Sequence, residues 1–354
     1  MKADTVKVGV IGAGAISRDH VASCNRYGDA EVIAIADIAL HRAKAIAKEH
    51  NIPRVYSSAA RLIADPDVDA VTVAVPNMYH AAFAVAALKA GKHVLVEKPF
   101  AMNTAQARQV IAAARAARKV FTLGMNWRFE ASSQITRELI RRGDIGDVYH
   151  AKTYVLRRTG SPRFGTWFCR KDQSGGGALL DIGVHFLDAC LYLVGNFEPA
   201  AVSGQTYTKF GNRGIGEGTW GLSDPGRKIF TVDDFGTALI KMKNGLSVTL
   251  DASWVLHMES ELRYNVEVFG TEGGASACPP KLFRFGKRNG EYEVVNPQGV
   301  KLRYPHANRF HNWLDAILDR DELEVKPAQT LAVQQILDGI YLSSKTGREV
   351  RIKA

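Results

Sequence analysis

Cysteine is scarce in this sequence. There are four in 354 residues, Cys24, Cys169, Cys190 and Cys278, and no two are spaced as Cys-x-x-Cys. That argues against a zinc site and against a disulfide framework. Long unbroken apolar runs are missing as well: none approaches the roughly 18 to 20 uninterrupted apolar residues of a membrane span. The opening Met1-Lys2-Ala3-Asp4-Thr5 carries no apolar signal region, so a cytoplasmic protein without a membrane partner is expected. The net charge of +10 is dispersed, and pairs such as Arg141-Arg142 and Lys287-Arg288 lie beside acids or turns. No basic stripe interleaved with aromatic residues appears, which counts against a nucleic-acid partner. No internal repeat is visible.

What is present is ordinary for a globular chain: 46% hydrophobic and 23% charged residues. The length suits two domains. Through residue 126, apolar strands at Val6–Ile11, Val32–Ala36, Ala70–Val75, His93–Val96 and Val120–Gly124 alternate with helical stretches. The helices are read at Ala15–Tyr27, Leu40–His50 and Tyr79–Lys89, with another capped by Asn103 or Thr104 and running to about Arg118. This alternation predicts an α/β Rossmann domain over 1–126, a doubly wound parallel sheet with helices on both faces.

Residues 127–354 change character and predict a C-terminal α+β domain for substrate binding and oligomerisation. Ala238, Ile240 and Met242 alternate with outward positions, as do Leu246, Val248 and Leu250 after Asn244-Gly245. Asn-Gly between such runs predicts a type I′ hairpin, and Asn289-Gly290 repeats the device. The expected sheet is large and antiparallel, covered on one face by helices around Leu179–Val194, Phe310–Leu318 and Leu331–Ser343 and open on the other. Seven glycines between Gly204 and Phe230 predict a long loop, either functional or a tolerated insertion.

The opening strand runs into Gly12-Ala13-Gly14-Ala15-Ile16-Ser17 and then a helix. Gly12 permits a tight turn, and Gly14 lets backbone N–H groups approach a pyrophosphate at the positive helix end. Ser17 takes the third fingerprint position, where a small residue serves helix–strand packing. Asp37 follows the second strand, where a carboxylate accepts ribose hydroxyls and repels a 2′-phosphate. The sequence therefore favours NAD over NADP, although Arg42 stands close enough to engage a phosphate. Pro76 and Asn77 end the next strand, at the rim of the crevice. Cofactor contacts are expected from Gly12, Gly14, Ala15, Ile16, Asp37, Arg42, Pro76, Asn77, His80, Glu97 and Lys98.

Lys98 lies at the carboxyl end of a central strand in Glu97-Lys98-Pro99. Asp181 and His185 follow Gly175-Gly176-Gly177, four residues apart and therefore on one helical face. Oxidising a secondary alcohol requires loss of the hydroxyl proton as hydride leaves carbon. Histidine, titrating near about pH 6.5 when unperturbed, suits that base role. Lys98 can stabilise developing alkoxide charge, and Asp181 can bind a neighbouring hydroxyl or orient the imidazole. The Lys98-Pro99 bond is expected to be cis. Asn126, Trp127, Arg128, Arg157, Arg158, Arg163, Trp167 and Arg170 are candidate pocket residues, because aromatic faces pack on sugar rings and arginines grip hydroxyls or anions. Those arginines raise the expectation of an acidic or phosphorylated sugar.

The Gly12-x-Gly14 opening, Glu97-Lys98-Pro99 and the segment from Gly176 through Asp181 to His185 resemble the glucose–fructose oxidoreductase/inositol dehydrogenase (Gfo/Idh/MocA) family. The resemblance implies hydride transfer between NAD(P) and a ring carbon of a sugar, sugar derivative or inositol, with Lys98, Asp181 and His185 as the catalytic set. It also implies an exposed sheet that pairs subunits into a homodimer or homotetramer. Two rival readings stand beside it: an NAD-dependent glycosidase working through transient ring oxidation, and a non-catalytic NAD-sensing regulator.

Overall fold

The structure, a computed structural model, describes residues 5–221, 229–286, 290–304 and 308–353. The chain divides into two compact units, Met1–Met125 with Ala307–Leu331, and Asn126–His306 with Ala332–Ala354. A division into 1–126 and 127–354 therefore needs correcting, because a late segment returns to the first unit.

In the first unit, β1 (Val6–Ile11), β2 (Ala30–Ala36), β3 (Arg54–Tyr56), β4 (Ala70–Val73), β5 (His93–Val96) and β6 (Phe121–Leu123) form a sheet in the order β3-β2-β1-β4-β5-β6. Every described pairing in it is parallel. Strand order reverses between β1 and β4, which opens a crevice at their carboxyl ends. The β-branched strands are buried, as a sheet covered on both faces requires. Local signals set the helices: the Asn103 side chain accepts the Gln106 N–H at 3.0 Å, capping Thr104–Ala117.

The helix Arg309–Ile317 was expected on the second sheet and instead completes the first unit. Phe310, Trp313 and Leu314 join Val8, Val21, Ile35 and Leu95 in one core. Its apolar face has helical spacing, and Asn308 caps it by accepting the N–H groups of Phe310 and His311 at 3.0 and 3.1 Å. A helical apolar stripe does not say which sheet it covers.

The second unit holds β7 (Val148–Arg157), β8 (Pro199–Tyr207), β9 (Phe235–Met242), β10 (Ser247–Ser253), β11 (Leu262–Gly270), β12 (Gly274–Ala277), β13 (Pro280–Phe285), β14 (Tyr292–Val295) and β15 (Val350–Arg351), in the order β14-β13-β12-β11-β7-β10-β9-β8-β15. The sheet is mostly antiparallel, but β7 and β10 pair in parallel. Ala151, Thr153 and Val155 point under the helix Val184–Val194, while Lys152, Thr237, Leu239, Thr249 and Asp251 alternate onto the open face. The stretch Lys171–Val194 is long and apolar enough to cross a membrane by composition, yet 89% of its apolar window is buried, as in a core helix.

The β9–β10 turn departs from type I′. Met242 N–H bonds to Leu246 carbonyl and Gly245 N–H to Met242 carbonyl, with positive φ at Gly245 and not at Asn244. That is a three-residue loop closed by a left-handed glycine. Asn289 lies outside the described residues, though β13 and β14 do pair. The glycine-rich stretch splits: Gly204 sits within β8, residues 208–221 form a folded loop that meets Ser161 through Glu217, and 222–228 lie outside the described residues.

Candidate active site

The glycine turn of the first unit fits a dinucleotide. Gly12 has φ +106°, and a Cβ there would lie 2.2 Å from the Ala74 carbonyl oxygen, so only glycine serves. Gly14 faces open space, where a pyrophosphate has room to approach the start of the helix Ser17–Asn25. Ala15 and Ile16 are exposed on the turn, and Ser17 is buried against the sheet. Asp37 ties the parts together: its carboxylate accepts the Ala13 and Ala39 N–H groups, each at 2.7 Å. Ile38, which sequence reasoning passed over, is 94% exposed beside it. An isoleucine so uncovered offers an apolar surface to an adenine ring. Arg42 is exposed in the next helical turn.

Lys98 is half-buried at the end of β5, and its bond to Pro99 is cis, as the sequence led us to expect. Its neighbours hold the backbone. Glu97 accepts from His20 at 3.0 Å and from Arg309 at 3.1 Å, and Arg309 also reaches Asp19 at 2.9 Å. Burial pushes the Glu97 carboxyl up, but Arg309, His20 and Lys98 together outweigh it and hold the group well below the usual carboxylate range. His80 is buried with Nδ1 2.8 Å from the Pro99 carbonyl and Nε2 2.9 Å from the Val75 carbonyl. Burial lowers its pKa against the pull of those carbonyls. Glu97 and His80 therefore brace the Lys98 turn through these contacts. Pro76 and buried Asn77 begin the short turn Asn77–Tyr79 beyond β4.

In the second unit, Asp181 and His185 do not share a plain helix. Asp181 lies in a π-helical turn, Leu179–Gly183, that leads into the helix Val184–Val194 carrying His185. Such wide turns often re-aim side chains at functional sites. Trp254, fully buried just past β10, donates its Nε1–H to Asp181 at 2.9 Å. The glycine run is pinned from another direction. Asp233 accepts from Gly177 N–H at 2.7 Å, Leu179 N–H at 3.0 Å and the Tyr341 hydroxyl at 2.7 Å. Burial raises the Asp233 pKa while those donors oppose it. A Cβ on Gly177 would meet the Asp233 carbonyl oxygen at 1.8 Å, so the spacing of the run is steric in origin. Neither Trp254 nor Asp233 carries a motif that sequence reading could isolate. Replacing Trp254 with Phe is expected to lower kcat about tenfold with little change in NAD affinity, because Asp181 loses the donor that holds it; steady-state kinetics and cofactor titration check this.

The pocket candidates separate. Trp127 packs on Phe186 at 4.7 Å and Tyr264 at 5.7 Å between ring centroids, in the short turn Asn126–Phe129. Trp167 stacks on Phe168 at 3.7 Å. Arg157 donates to the Gly160 carbonyl at 3.1 Å, and Arg163 is exposed. Arg128 is not a pocket residue. It is fully buried and grips Asp188 with Nε–Oδ2 2.8 Å and Nη2–Oδ1 2.6 Å. Arg158 and Arg170 pair with Glu261 and Asp172, each at 3.0 Å. With three of these five arginines matched to carboxylates, the basic cluster that suggested an anionic sugar dissolves.

A glycine turn at a strand-order switch, an acidic residue after β2 and a separate aspartate–histidine helix define a dinucleotide-dependent oxidoreductase. Residues 6–125 match the family model described as "Oxidoreductase family, NAD-binding Rossmann fold", and residues 133–276 match that of the GFO/IDH/MocA C-terminal domain. The chain belongs to the Gfo/Idh/MocA family and binds NAD. It is similar to D-glucoside 3-dehydrogenase of Escherichia coli (strain K12), 30% identical over 356 residues and covering 99% of each chain. It is also similar to 1,5-anhydro-D-fructose reductase of Ensifer adhaerens, 34% identical over 213 residues, covering 60% of this chain and 64% of that one. The fold matches levoglucosan dehydrogenase in complex with NADH and levoglucosan, with TM-score 0.83, 23% identity, and 99% and 100% of the two chains covered.

Proposed function

We propose that the protein oxidises a ring hydroxyl of a sugar or glycoside and passes the hydride to NAD. NAD, when bound, supplies the hydride acceptor. His185 takes the hydroxyl proton, Lys98 donates a hydrogen bond to the same oxygen as negative charge develops on it, and Asp181, held by Trp254, accepts from a neighbouring hydroxyl. The observation that carries this reading is the anchored turn and helix bearing Asp181 and His185. Two buried groups, Trp254 and Asp233, fix its start, and a regulator that only senses NAD has no need of such a device. The glucoside dehydrogenase relative, aligned along the full chain, supports a glycoside over a free acid.

The test is NADH absorbance across inositols, aldoses, uronates and glycosides. Net NADH formation with a neutral sugar or glycoside is expected. Glycoside cleavage without net NADH would favour the glycosidase reading, and NAD binding with no turnover of any of them would favour a sensor. Asp37→Ala is expected to narrow the NAD-over-NADP preference at least about tenfold, since the repelling carboxylate goes while Arg42 stays; the ratio of kcat/KM for the two cofactors measures it. The open sheet face is proposed to pair with a second copy of the chain, which light scattering reads as a dimer or tetramer.

A further inference from the structure

Along β11 the side chains alternate, and Val268 and Val266 point under the helix Val184–Val194 and are buried. The same alternation sends Tyr264 and Leu262 to that face, yet they are 39% and 50% exposed. A face that is buried for half a strand and bare for the rest borders an opening. Register places that opening. Tyr264 pairs with Val155 and Leu262 with Arg157 on β7, and Ala252 of β10 lies on the other side of Val155. Ala252 in turn sits 3.0 Å from where a Cβ on Gly183 would stand, at the end of the π-helical turn that bears Asp181.

Tyr264 is also edge-on to Trp127 and to Phe186, each at 5.7 Å, and Phe186 is the residue after His185. Trp127 and Tyr264 thus make an apolar strip around Phe186, the chain neighbour of His185, and Leu262 extends it along the same face of β11. Its rim is polar, with Arg158 paired to Glu261 next to Leu262.

We infer that the strip is a subsite for the non-reacting part of the substrate, and that this part is an aromatic or comparably apolar ring: the enzyme takes glycosides with such an aglycone. The inference rests on the dehydrogenase reading above. A free sugar or methyl glycoside leaves Leu262 in water, whereas a phenyl aglycone covers it and stacks against Tyr264.

The experiment compares kcat/KM for glucose, methyl β-D-glucoside and phenyl β-D-glucoside with NAD, in the full-length protein and in Leu262→Ala and Tyr264→Ala. The phenyl glucoside is expected to exceed the methyl glucoside by about tenfold or more, mainly through KM. Each substitution is expected to pull that ratio several-fold toward one. Leu262, being half exposed, can be truncated without loss of fold, which circular dichroism verifies. Turnover of both glucosides at equal efficiency overturns the subsite. A wild-type preference that both variants retain overturns its location. No NADH from any glucoside, with NADH formed from another sugar of the panel, overturns the subsite alone; no NADH from any sugar sinks the dehydrogenase reading and the subsite with it, so the two failures are told apart.

Discussion

Replacing His185 with alanine is expected to lower kcat by about 10² to 10⁴-fold while leaving NAD affinity near that of the parent, the usual loss when a positioned general base is removed. His185 lies in the second unit and the glycine turn that fits the cofactor lies in the first, so its loss should not touch cofactor binding. Fluorescence titration of NAD and steady-state turnover of a glycoside separate the two effects. The pH profile adds a readout that misfolding would not give: a general base at residue 185 predicts a fall in kcat on the acid side that flattens in His185→Ala. Unchanged turnover would remove the base assignment.

The largest effect on stability is expected from Arg128→Met. Arg128 and Asp188 are both buried and bonded twice, and the guanidinium also lies 5.3 and 5.0 Å from the ring centres of Tyr192 and Phe197. Removing the cation leaves a carboxylate in an apolar interior, which costs about 3 to 5 kcal/mol. A drop of roughly 10 °C in the thermal midpoint follows. Arg128→Met combined with Asp188→Leu should recover most of it, since a buried ion pair replaced by apolar groups is often neutral. Failure of the double variant to recover would mean that the arginine stabilises through its stacking on Tyr192 and Phe197 rather than through charge.

The first unit was largely legible because its strands are buried on both faces and read as apolar runs, while Gly12, Asp37 and Asn103 each have a local job that residue type reveals. β3 escaped: three half-buried residues at a sheet edge leave no pattern to find. Of the proposed catalytic residues, Lys98, Asp181 and His185 stood out by motif. What holds them did not. Glu97 meets Arg309 across 212 positions of sequence, Asp181 meets Trp254 across 73, and Gly177 meets Asp233 across 56. No local rule links residues so far apart. Arg128 misled for a related reason: a charged side chain after the last strand looks like a ligand contact until its partner Asp188 is seen.

The return of the segment beginning at Asn308 has a consequence for biosynthesis. Phe310, Trp313 and Leu314 are interior parts of a unit whose other residues emerge from the ribosome far earlier. The nucleotide-binding half therefore cannot close its interior until residues 310–314 have been made. Cutting the gene after codon 125 should accordingly yield an incomplete, sticky product rather than an autonomous module.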